Sequence, residues 1–146
     1  MKSFTTLMIE GLAQLLHDNN LGEYPPDDGP FTGDAPAIMF KKVPQSPDEV
    51  IVLNPYGNND DILRMGTISV QIRARGTADP MRCEDILDPI YDLLHGARYL
   101  ALVPGYPAFS LVTRKSTTSM GVDGNGRWER ADNYAFFGQR KPLTTP

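Results

Sequence analysis

Two histidines, one cysteine and several acidic pairs are the residues of this chain best equipped for chemistry. Their spacing assembles none of the familiar catalytic devices. His17 and His95 each fall in the last turn of a predicted helix, where a cation complements the helix dipole. Neither has a second His or Cys at ligand spacing, as a zinc site requires. There is no glycine-rich phosphate loop with a following Lys-Ser/Thr, and no Gly-x-Ser-x-Gly elbow. Asp123 to Gly126 imitates the opening of a calcium loop, lacks the later acidic ligands, and reads as a glycine turn. Glu84 and Asp85 are adjacent on a predicted helix, point about 100° apart, and read as a solvated face. Asp60-Asp61 sits on a predicted loop and reads as exposed, with a docking or metal role as the alternative. The lone Cys83 lies on an apolar helical stripe, where a buried, inert thiol is expected. The residues thus lead us to expect no metal, no cofactor and no enzyme.

A sharper signal lies between Met65 and Gly76. Ile68, Val70, Ile72 and Ala74 alternate with Ser69, Gln71, Arg73 and Arg75. Period-two alternation puts the apolar set on one sheet face and the polar, cationic set on the other. The segment Cys83–Leu94 follows at helical spacing and can cover the apolar face. Gln71, Arg73 and Arg75 are left as a row on the uncovered face, which reads either as surface decoration or as an interface with a partner. Trp128, Tyr134, Phe136 and Phe137 crowd the last strand and read as core or subunit-contact aromatics, with Tyr134 and Phe136 taken as intersubunit candidates.

The elements that must position these residues follow from pattern and punctuation. A helix is predicted from about Ser3 to Asn20, with Phe4, Leu7, Met8, Leu12, Leu15 and Leu16 on one stripe. Ser3 is its N-cap, and Asn19-Asn20 with Gly22 its stop. Residues 23–36 form a Pro-rich connector. Strands are predicted at Ala37–Lys42, Glu49–Asn54 and Met65–Gly76, with a loop over Pro55–Leu63. A second helix starts at Asp79-Pro80 and ends at Gly96, and Pro89 must kink it or split it. Two strands, Phe109–Thr118 and Trp128–Arg140, flank a mobile, glycine-rich tip, and residues 141–146 read as a frayed tail. The predicted fold is a single α+β domain over 1–146. It has a mostly antiparallel sheet of about five strands, in which consecutive strands pair antiparallel, and both helices lie on one face.

Composition sets the bounds. A chain of 146 residues with net charge −4 is large enough for one good core and too acidic for a sequence-reading nucleic-acid binder. No apolar run approaches the ~20 residues of a membrane span. The amphipathic opening with Glu10 is unlike a secretory h-region, and the single cysteine fits synthesis in a reducing cytoplasm.

The pattern as a whole resembles the tail terminator, or tail-completion, proteins of long-tailed bacteriophages. The opening helix Phe4–Leu16, the Gly22-Glu23 stop, and the strands Ala37–Phe40 and Val50–Leu53 carry the resemblance. So do Ser69-Val70-Gln71-Ile72-Arg73-Ala74-Arg75-Gly76, the helix end Ile90-Tyr91-Asp92-Leu93-Leu94-His95-Gly96, and the run Arg130–Phe137. Pro89 and the connector Tyr24–Pro36 depart from it. The resemblance implies a structural virion protein at the neck, on top of the tail: a hexameric ring that caps the tail tube, ends its polymerisation and docks the filled head. Its partners would be copies of itself, the tube protein and a head-completion or connector protein, with genomic DNA passing through the lumen unread. Asp60, Asp61 and Arg64 on one loop, and Asp123 and Asn125 on another, are the candidate ring–ring docking residues. A head-completion adaptor ring is the alternative. A small hydrolase is the remote one, lacking a nucleophile–base pair.

Overall fold

A computed structural model describes residues 1–143, apart from the Asp28 side chain; Thr144 to Pro146, the end of the predicted frayed tail, lie outside the described residues. The first helix, α1 (Phe4–Asp18), opens where Ser3 Oγ accepts the amide of Thr6 at 3.1 Å, and it buries Met8, Ile9, Leu12, Ala13 and Leu16. It stops as its sequence predicts, with Asn20 taking the left-handed conformation that ends helices. Gly11 is required by packing: a Cβ there would stand 2.1 Å from the carbonyl oxygen of Leu102, so the 100–104 segment lies directly on the helix.

Five strands follow: β1 (Ala37–Phe40), β2 (Val50–Asp60), β3 (Met65–Arg75), β4 (Leu111–Val122) and β5 (Trp128–Gln139). They form one sheet in the order β1-β2-β3-β5-β4. All neighbouring pairs are antiparallel except β1 and β2, which run parallel with Ala37 opposite Val50. This corrects the antiparallel pairing expected for consecutive strands. Because β1 has only four residues, the nine residues from Lys41 to Glu49 are enough to bring the chain back alongside it. They return as a strap on the face opposite the helices, where Val43, like Met39, packs against the cluster of Ala37, Val50 and Val52.

The predicted loop at Pro55–Leu63 is mostly strand. β2 runs on to Asp60, and a bulge between Pro55 and Gly57 absorbs the proline that argued against it. Only residues 61–64 turn. The last two strands are displaced from their predicted bounds, β4 starting and ending later and β5 stopping at Gln139.

The second helix, α2 (Arg82–Leu94), is neither split nor interrupted; Pro89 sits inside it on the exposed side, where water can satisfy the carbonyl that loses its donor. Asp79 marks the start through its carboxylate, which accepts the Met81 amide at 3.0 Å, but regular helix begins only at Arg82. Gly96 closes the segment with φ of +80°. Both helices lie on one face, α1 over β2 and α2 over β3, β4 and β5. The core between the layers holds Ile68, Val70, Ile72 and Ala74, as the alternation in β3 demands. The architecture is α+β, and no helix among the described residues is long and apolar enough to cross a membrane.

Candidate assembly surfaces

The polar row of β3 is graded rather than uniform. Arg75 is 3% exposed, and its guanidinium donates to the carbonyls of Pro44, Gln45, Pro47 and Asp48, tying the strap to the sheet. Desolvation, with Arg127 nearby, draws its pKa below the ordinary arginine value. Arg73 is partly exposed and pairs with Glu129 at 2.8 Å across the sheet. Gln71 lies furthest from the strap, half-buried beside Asn133 on β5. The strap, which no local pattern announces, converts one end of the expected free surface into interior.

Tyr134 and Phe136 are 1% and 0% exposed and pair with Val70 and Ile68 on the core side of the sheet. This overturns the expectation that they meet a neighbouring subunit, because they have no surface to offer one. Period two settles the matter: the residue of that aromatic run facing outward is Phe137, 42% exposed on the face of Gln71. Sequence reasoning counted Phe137 among the core or subunit-contact aromatics but chose Tyr134 and Phe136 as the candidates; the register of β3 with β5 separates them.

A buried ionic cluster also escaped notice. Asp132 is wholly buried on the core side of β5. Arg130 donates to both its oxygens at 3.0 Å, to Thr117 at 2.8 Å and to Asp88 at 2.9 Å. Arg114 approaches Asp132 at 3.7 Å while lying over the Tyr91 ring, 4.1 Å from its centre. The signal was present as charged residues at the inward parity of β5. The Tyr134 hydroxyl ends nearby with no hydrogen-bond partner among the described residues, and burial pushes its pKa well above the ordinary value.

The remaining chemistry-bearing residues are occupied structurally. His17 Nδ1 accepts the Tyr24 amide at 3.1 Å, and His95 Nδ1 accepts the Arg114 amide at 2.9 Å. Both rings accept a backbone amide and so pin the chain beyond their helices. The Cys83 thiol is buried against the carbonyls of Ala74 and Trp128, and burial, with Glu84, pushes it up to about 11. Among the described residues no three His, Cys, Asp or Glu side chains converge as a metal site would need.

The two hairpin tips use one device. Asp61 Oδ1 accepts the amides of Leu63 and Met65 at 2.8 and 3.0 Å, and Asp123 Oδ1 accepts those of Asn125 and Arg127, both at 2.9 Å. Asp123 goes further, bonding the Arg127 side chain at 2.8 Å, and Arg127 reaches the strap at Gln45 and Asp48. These bonds hold the Asp123 carboxyl below the usual range, and the tip expected to be mobile is tied down. Asn125 remains exposed at its apex. At the other tip, Asp60 pairs with Arg140 at 3.2 Å, and Arg64 takes φ of +62° with its side chain in solvent. Between them Ile62 and Leu63 stand bare, 97% and 67% exposed.

The subunit has two layers, with an open sheet face and a bare apolar tip among its described surfaces. The family model described as bacteriophage tail terminator protein matches residues 15–139. The chain belongs to the bacteriophage tail terminator family. No curated protein matches it. As a member of that family it is a structural protein of a phage tail, assembled with other virion proteins.

Proposed function

We propose that the chain forms a closed ring, a hexamer, that caps the head-proximal end of the tail tube, stops its polymerisation and provides the surface on which the filled head docks. The family match over residues 15–139 carries this reading. The subunit's shape supports it, because a ring needs two unlike patches that meet head to tail. The projecting 61–64 tip is one candidate for such a patch, and the open sheet face with Gln71, Arg73 and Phe137 is a separate surface. Gln71 and Arg73 line the lumen or the lateral contact, while Arg75 serves that face indirectly by fixing the strap. The tube protein and a head-completion protein meet the rims, where the 123–126 turn presents Asn125. A net charge of −4 suits a conduit that DNA crosses without strong phosphate binding.

The test is a phage lacking this chain. Electron micrographs of lysates should then show unjoined filled heads together with tails of uncontrolled length, and adding the purified protein before joining should restore normal particles. Tails of normal length on joined heads would overturn the reading.

A further inference from the structure

The 61–64 tip and a groove elsewhere on the same chain complement each other in both shape and charge. The tip reads acid, Ile62, Leu63, base. Asp61 spends Oδ1 on the turn, and Arg64 makes no ion pair among the described residues. Two large apolar side chains are exposed by 97% and 67%, so among the described residues they pack little against their own monomer. The groove, of about 320 Å³, lies between the first turns of α1 and the end of β1. Ile9, Phe40 and Pro55 line it, together with Glu10 and Lys41. Phe40 is 38% exposed there, so the groove is apolar and open. Lys41 is exposed and unpaired among the described residues, and the Glu10 carboxylate is held only by the exposed Lys2 at 2.8 Å. A base and an acid around an apolar patch thus match an acid and a base around an apolar knob.

The tip cannot fill its own groove. Pro55 lies five residues before Asp60 on β2, roughly 16 Å away along a strand at ~3.3 Å per residue, and β2 is held in register with β3 to its end. We infer that Ile62 and Leu63 dock into the groove of a second copy of this chain, with Arg64 toward the neighbour's Glu10 and Asp61 toward its Lys41. A knob on one patch and a hole on another make a heterologous contact, which propagates head to tail and closes only as a ring. The inference rests on the ring reading above and specifies its lateral contact.

The double variant Ile62→Cys with Thr5→Cys tests it. Thr5 lines the groove and makes no hydrogen bond through its side chain among the described residues, and native Cys83 can remain because it is buried. The purified variant is oxidised at its highest soluble concentration and again after capping purified tail tubes, then run on non-reducing gels beside each single variant. A ladder of dimer, trimer and higher multiples in the double variant alone is expected. Dimers only, or no bands beyond those of the single variants, overturns the contact. As a second arm, Ile62→Asp should leave the monomer's circular dichroism unchanged and abolish rings on tubes; rings that persist also overturn it. Capped tubes without a ladder would reject this contact and leave the ring standing. A chain that neither caps tubes nor forms a ladder rejects both.

Discussion

The two hairpins share their turn chemistry and differ in everything beyond it. At both tips an aspartate accepts amides two and four residues ahead. The β4–β5 tip encloses Gly124, Asn125 and Gly126, and its Arg127 returns to the strap, so that hairpin is stitched into its own subunit. The β2–β3 tip encloses Ile62, Leu63 and Arg64, and nothing among the described residues covers them. Apolar side chains left bare on a well-formed turn leave the 61–64 tip unattached to its own described surface, whereas the glycine-rich tip tied down by arginine is anchored. Local turn geometry therefore says little about a loop's role, and the partners of the side chains it presents say much more.

The contrast can be broken most forcefully at the base of β4–β5. Asp132→Ala leaves Arg130 buried without its main partner and should cost about 3–5 kcal/mol in urea unfolding. A loss under ~1 kcal/mol would mean the cluster behaves as a surface pair and the hairpin is not anchored there.

Arg75→Met is the next largest, since it strips several strap carbonyls of their donor, at ~1–3 kcal/mol. Arg75→Lys should restore little, because an ammonium cannot reproduce the fork that spans those carbonyls. Full rescue by lysine would show that charge alone holds the strap.

Acid separates the anchored segments from the bare tip. The Asp123 and Glu23 carboxyls are both held below their usual range, Asp123 first by the Arg127 amide and Glu23 first by the amide of Thr32. A carboxyl lowered in the folded state adds stability above its unfolded pKa of about 4 and loses it as pH falls through the folded value. Stability should therefore decline below about pH 4. The decline should be shallower in Asp123→Asn and in Glu23→Gln, as read by thermal unfolding across pH. Unchanged slopes in both variants would remove the anchoring role of these carboxylates.

The smallest effect sharpens the comparison most. Ile62→Ser should change monomer stability by less than ~0.5 kcal/mol, because the side chain it removes touches almost nothing. A large loss in urea unfolding would show that the tip packs within its own subunit after all.

The sequence by itself determined the helices, the parity of β3 and the α+β class. Each of these rests on a local period that apolar burial enforces within a few residues. It also carried enough of the family pattern to suggest a tail terminator. Tertiary structure decided which surfaces remain free. The parallel return beside β1 and the strap over Arg75 depend on a contact between β3 and residues some thirty positions earlier, which no local period encodes. Tyr134 and Phe136 went to the core and Phe137 outward because pairing with β3 set the register of β5. The bare state of Ile62 was equally hidden, since a residue is exposed only when every other part of the fold has been placed elsewhere.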